Sequence, residues 1–105
     1  MTHNAFLIRP DLARAARALT QVSIEDVASE AGIDASKARA FEQGVGPLTS
    51  EENFKLQAAL ETFGAVLLPE SDDAGYGVRQ KYNSVKVARL ENLENEGGLA
   101  ADDDV

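Results

Sequence analysis

The 105-residue sequence predicts a mainly α domain of four to five helices, followed by a β-hairpin and a flexible acidic tail. Three observations predict this fold class: apolar residues recur at helical spacing to about residue 63, a strand-like pattern follows, and the chain ends in acidic residues. We assign an N-terminal arm to residues 1–8, a helical domain to 9–64, a hairpin to 65–82 and the tail to 83–105.

The first helix is expected to begin at Pro10, because the fixed φ of proline suits the first helical position, and to run to about Leu19. Its apolar face has i, i+3, i+4, i+7 spacing and comprises Leu12, Ala15, Ala16 and Leu19.

Two shorter helices follow, each preceded by a residue whose side chain accepts hydrogen bonds from the free amides of a first turn. Ser23 is the expected N-cap of helix two, over 24–31, and Asp34 is that of helix three, over 35–43. Gly44 ends helix three because glycine readily adopts a left-handed backbone.

The fourth helix is expected to begin at the N-cap Ser50 and to end near Phe63, before Gly64. Its expected core residues are Phe54, Ala58, Leu60 and Phe63.

The hairpin follows from a β-compatible run at 65–68, a turn cluster at 71–75 and an alternating segment at 76–82. We expect Tyr76 and Gln80 to lie on the same side of the second strand. An isolated hairpin is marginal in water, so it must pack on the helices or pair with a second copy. Pairing through a free edge makes a symmetric homodimer.

The tail holds half of the excess negative charge. The chain carries a formal charge of −8, and 83–105 contain two basic residues against six acidic ones, whereas 1–50 contain five against six. We expect a short helix over 84–95 and disorder over 97–105.

Composition excludes several classes of function. The absence of Cys and the single His, at position 3, leave no basis for a metal centre or for thiol or histidine catalysis. We find no paired carboxylates, nucleophile–base pair or phosphate-binding glycine loop, so we expect neither an enzyme nor a cofactor. No apolar run suits a membrane span and no signal peptide is visible, so a cytoplasmic protein is expected.

The most informative stretch is 23–44, SIEDVASEAGIDASKARAFEQG, whose spacing fits two short helices joined by a tight turn. Small Ala28 stands where the helix backbones approach, and Gly32 stands in the turn. The intervening apolar residues, which lock the second helix onto the first, are Val27, Ala31, Ile33, Ala38 and Phe41.

With Arg17 before it and a fourth helix after it, this stretch resembles the Cro/CI-type (XRE-family) helix-turn-helix domain of phage repressors and bacterial regulators. The resemblance implies a transcriptional regulator that binds double-stranded DNA as a dimer, with helix three in the major groove. It also implies an ion pair between Arg17 and Glu42, which either orients Arg17 toward a phosphate or clamps helix one to helix three. The expected DNA-contacting residues are Arg14, Arg17, Ser23, Ala35, Ser36, Lys37, Arg39, Ala40 and Gln43. A subsidiary hypothesis is that Asp102–Asp104 of the tail compete with DNA for Lys37 and Arg39.

The expected reading surface departs from the family. Ile24 stands where a Gln is common, and none of Ala35, Ser36 and Ala40 makes the bidentate hydrogen bonds that discriminate bases. Arg79 and Lys81 of the hairpin either add phosphate contacts or are solvated edge charges.

These departures favour an alternative function, in which the helix-turn-helix fold serves protein–protein interaction. The protein would then be an anti-activator or the helper subunit of a heteromeric regulator, with a partner in the transcription machinery. Ile24, Ala35, Ala40 and Val45 would form an apolar patch for that partner.

Overall fold

The computed structural model describes residues 6–82, which form four helices and one two-stranded antiparallel sheet. This confirms the mainly helical fold class with a hairpin after the helices. Residues 1–5, the expected helix at 84–95 and the acidic tail lie outside the described residues. The elements are α1 (Pro10–Thr20), α2 (Ile24–Ala31), α3 (Ala35–Glu42), α4 (Ser50–Thr62), β1 (Ala65–Leu68) and β2 (Gly77–Gln80).

The N-caps of α2 and α3 are those expected, but that of α4 is not. The Ser23 hydroxyl and the Asp34 carboxylate accept hydrogen bonds from backbone amides of their helices. At α4 the expected cap, Ser50, is already helical, and Thr49 caps the helix instead. Its Oγ1 accepts from the Glu52 amide at 3.1 Å while its own amide donates to Glu52 Oε1 at 2.9 Å, a reciprocal capping box.

The buried face of α1 is rotated from the expected one. Leu12, Ala13 and Ala16 are buried, whereas Ala15 is exposed and Leu19 is 37% exposed. Alanines lie on every side of this helix, so helical spacing alone fits more than one face. The packing of α1 against α3, α4 and both strands selects the face that includes Ala13.

The expected core residues of α4 were also partly wrong. Leu60 is fully buried and Phe63 partly buried, but Phe54 is 37% exposed and Ala58 is exposed. The buried positions are Asn53, Leu56, Ala59 and Leu60. The polar residue Asn53 therefore lies on the buried face of α4. The expected face was wrong because it was chosen from apolar residues alone.

Asn53 is buried because it binds the chain just before α1. Its Oδ1 accepts from the Ile8 amide at 2.9 Å and its Nδ2 donates to the Ile8 carbonyl at 3.0 Å. Gln57 donates in the same way to the Phe6 carbonyl at 2.9 Å. Residues 6–8, the end of the assigned N-terminal arm, are thereby held on α4, and Ile8 is only 2% exposed.

The hairpin packs on the helices. The strands pair with Ala65 opposite Gln80 and Leu68 opposite Gly77. Tyr76 donates its hydroxyl to the Asp11 carboxylate at 2.8 Å, and the Gln80 amide donates to a carbonyl of α1. The expected alternation of β2 is confirmed, because the side that carries Tyr76 and Gln80 faces the domain.

Candidate functional site

The α2–α3 pair is joined through a small second cluster of buried residues. Ile24 is 7% exposed, Ala28 1% and Ala38 0%. Between the helices Gly32 adopts φ +75°, a left-handed conformation that costs glycine little, and its amide bonds the Ala28 carbonyl at 2.8 Å. Two alanines at the contact let the helix backbones approach and leave room for Ile24.

Ile24 was expected on an outward apolar patch, and that expectation is wrong. Its side chain lies in the first turn of α2 and packs toward α3, where it fills the space left by Ala28 and Ala38. The alternative function loses one of its four patch residues, while Val45 remains 74% exposed.

The face of α3 opposite its packing residues is open to solvent. Ala38, Phe41 and Glu42 are buried, which fixes the orientation of the helix on the domain. The opposite stripe has i, i+3, i+4, i+7 spacing and comprises Ser36, Arg39, Ala40 and Gln43, of which all but the half-buried Ala40 are exposed. Half-buried Ala35 and exposed Lys37 flank the stripe.

The ion pair between Arg17 and Glu42 is present and bidentate. Arg17 Nε lies 2.7 Å from Glu42 Oε2, and Arg17 Nη2 lies 2.8 Å from Oε1. The third guanidinium nitrogen donates to the Val22 carbonyl at 3.1 Å. The Glu42 side chain is only 6% exposed, and its hydrogen bonds raise the pKa of Arg17 above the usual range. Since all three nitrogens of Arg17 bond within the domain, the geometry favours the clamp over the phosphate-orienting interpretation.

Arg14 reinforces the same end of α3. Its Nη1 donates to the backbone carbonyl of Glu42, at the helix C-terminus, where the helix dipole favours positive charge. Arg14 and Arg17 therefore both hold α3 on α1, and Arg14 also keeps an exposed side chain.

The two cations of α3 are each paired with a carboxylate of a neighbouring helix. Lys37 Nζ lies 2.8 Å from Glu52 Oε2, and this hydrogen bond is the main reason that the pKa of Glu52 is lowered. Arg39 pairs with Glu25, the second residue of α2, and both side chains are substantially exposed. Spacing along the chain does not reveal contacts between helices, so the sequence gives no signal that Glu25 and Glu52 belong to this site.

Among the remaining expected contact residues, Ser23 and Ser36 make local bonds and Ala40 is partly covered. The Ser36 hydroxyl donates to Asp34 at 3.0 Å, and the Ser23 hydroxyl accepts from the Asp26 amide. Gly46 folds back on α3 so closely that a Cβ built on it would lie 3.1 Å from that of Ala40. The loop after α3 thus covers part of one expected base-reading position.

An open, mainly apolar cleft lies beside that loop. Its volume is about 330 Å³, and it is lined by Pro10, Phe41, Gly44, Val45, Gly46 and Pro47. Within residues 6–82 no three acidic or histidine side chains group as metal ligands would, and no helix has the length and apolar character needed to cross a bilayer.

Comparison with known proteins finds neither a matching family model nor a matching curated protein.

Proposed function

We propose that the protein is a sequence-specific DNA-binding transcriptional regulator of the Cro/CI-like helix-turn-helix type, with α3 in the major groove. The observation that carries the proposal is the orientation of α3. Its buried residues and the Arg17–Glu42 clamp fix it on the domain, while Ser36, Arg39 and Gln43 on the opposite stripe stay exposed. A fixed helix with one free polar face is what insertion into a groove requires.

Base recognition by this face is sparse. Gln43 and Arg39 are the side chains of the stripe that are able to form bidentate contacts with bases, and Ala40 offers a methyl group to a thymine methyl. Lys37 lies beside the stripe, where it suits a phosphate. Few contacts from each protein imply modest affinity and a shallow dependence on salt.

Dimerisation compensates for sparse contacts, because two half-sites then bind as one unit. We propose the hairpin as the dimer element. Its inner side packs on α1 and α4, and its outer side carries the partly buried Val66 opposite the exposed Arg79, with Leu68 37% exposed. Each strand also retains one edge that is unpaired among the described residues.

Fluorescence anisotropy with DNA from the protein's own promoter region tests the proposal, since many such regulators bind there. Binding should weaken as salt is raised, and Lys37→Glu should weaken it and reduce the magnitude of the salt slope by about one. Lys55→Glu is the matched control. Each substitution places a new carboxylate beside a glutamate in the first turn of α4, because Lys37 pairs with Glu52 and Lys55 pairs with Glu51.

Equal DNA affinity of Lys37→Glu and Lys55→Glu would show that the DNA does not bind at α3. The absence of salt-sensitive binding at low ionic strength, for the wild type on promoter DNA, would refute the proposed function.

A protein-binding role is a second candidate, and two observations favour it. Lys37 and Arg39 already have carboxylate partners, and Val45 is 74% exposed beside the apolar cleft. A pull-down with the purified, tagged protein as bait tests this role. Stoichiometric capture of a protein of the transcription machinery supports it. Val45→Arg should abolish such capture, whereas Leu68→Arg, on the hairpin, should not. Capture that is insensitive to Val45→Arg would remove this candidate.

A further inference from the structure

Lys37 and Arg39 are the two cations that α3 offers to DNA, and both pair with acidic side chains of the same domain. Their partners differ in how firmly they are held. Glu25 is 60% exposed and Glu52 only 23% exposed.

Glu52 is held in place by two separate bonds. One carboxylate oxygen, Oε1, accepts from the Thr49 amide at 2.9 Å as part of the α4 capping box, and the other, Oε2, accepts from Lys37 Nζ at 2.8 Å. A carboxylate that is fixed by the helix start cannot follow Lys37 toward a ligand. A phosphate that reaches Lys37 therefore shares or displaces the Glu52 carboxylate on the same ammonium group, and in either case the negative charge of Glu52 remains near the DNA.

We infer that Glu52 is a built-in competitor of the DNA backbone, which sets the DNA affinity of this domain by holding Lys37. This inference rests on the proposed DNA-binding function and names a regulatory contact within that site. It assigns a role to a residue that would otherwise be explained as a helix cap alone.

The competitor lies within the domain and is separate from the acidic tail, whose expected competition with DNA stays a prediction. The Glu52 carboxylate lies at an N–O distance of 2.8 Å from Lys37, so it would act without any contribution from the tail. Such competition raises the share of affinity that must come from base contacts, which favours specific over nonspecific sites.

Glu52→Gln separates the two roles of this residue. Glutamine retains an oxygen that accepts from the Thr49 amide, so the capping box persists, but it lacks the charge that holds Lys37. Glu51→Gln is the matched control, because it removes the same charge from the adjacent position, where the side chain is 79% exposed and pairs with Lys55 instead.

The experiment measures binding of the full chain to a mixed-sequence DNA duplex at low and moderate salt. Glu52→Gln should bind about two- to fivefold more tightly than Glu51→Gln at low salt, and the difference should shrink as salt screens the ion pair. In a Lys37→Gln background the two substitutions should have equal effects, because the gain acts through Lys37. A gain that persists in that background, or equal binding by the two single variants, overturns the inference.

A measurement without DNA distinguishes failure of the inference from failure of the proposed function. The carboxyl carbon of Glu52 is titrated by NMR in the wild type and in Lys37→Gln. The pKa of Glu52, lowered in the wild type by Lys37, should return toward its ordinary value in the variant. An unchanged titration shows that the pair does not form and overturns the inference while leaving DNA binding open. A shifted titration in a protein that binds no duplex overturns the proposed function and, with it, the inference.

Discussion

The Arg17–Glu42 ion pair predicts unequal losses of stability when its two members are replaced singly. Arg17→Met leaves the Glu42 carboxylate in a site where the side chain is only 6% exposed, without the guanidinium that bonds both of its oxygens. Removing one partner of a buried pair costs about 3–5 kcal/mol. Water reaches this site on the side of Arg17, which is 27% exposed, so we expect about 2–4 kcal/mol of destabilisation.

The reverse substitution should cost less. Glu42→Gln retains an oxygen that accepts from Arg17, and the guanidinium that remains is partly solvated and still bonds the Val22 carbonyl. We expect a loss of about 1.5 kcal/mol, the lower end for one hydrogen bond to a charged group, because the amide nitrogen cannot accept from Arg17. The double variant Arg17→Met/Glu42→Met should be more stable than Arg17→Met alone, because it leaves no buried charge.

Urea unfolding followed by far-UV circular dichroism measures these differences as changes in the free energy of unfolding. Arg39→Met is the control, since it breaks an ion pair whose side chains are 44% and 60% exposed, and it should cost less than about 1 kcal/mol. Equal losses for Arg17→Met and Glu42→Gln, or a double variant less stable than Arg17→Met, would refute the argument from burial.

Three further predictions concern the capping box, the N-terminal segment and the hairpin. Asn53→Ala should destabilise the fold by about 2–4 kcal/mol, because it leaves the buried amide and carbonyl of Ile8 without partners, and faster hydrogen exchange at the Ile8 amide is the specific check. Thr49→Ala should lower the free energy of unfolding in urea by about 0.5–2 kcal/mol, and Ser50→Ala should lower it much less. The opposite order would show that Ser50 is the cap. The hydrogen bond to a carboxylate on α1 raises the pKa of Tyr76, so its stabilising contribution is complete below the unfolded value of about 10 and is lost as pH rises through the folded value. Tyr76→Phe should reduce this fall in stability at alkaline pH, as measured by thermal unfolding. A variant whose stability falls with pH as steeply as that of the wild type would contradict the prediction.

Local signals in the sequence predicted the parts of the fold that depend on neighbouring residues. Ser23 and Asp34 cap their helices because each side chain reaches an amide two or three residues on, and Gly32 turns the chain whatever surrounds it. The alternation of β2 has the same local origin.

Predictions failed where two cap residues or two helix faces fitted the local sequence equally well. Both Thr49 and Ser50 are suitable cap residues, and Glu52 decides between them by completing a box with Thr49. On α1 the alanines permit several buried faces, and only the packing of α3, α4 and the hairpin selects the one with Ala13.

The candidate site likewise has features that the local sequence determines and features that only helix packing determines. The sequence alone predicted the α2–α3 pair and its turn, because small residues, a glycine and helical spacing act over a few positions. The tertiary structure decided that Ile24 is buried and that Lys37 and Arg39 already hold carboxylates. Those contacts join residues 14 or 15 positions apart on different helices, and no local pattern specifies which charged side chains will meet once the helices pack.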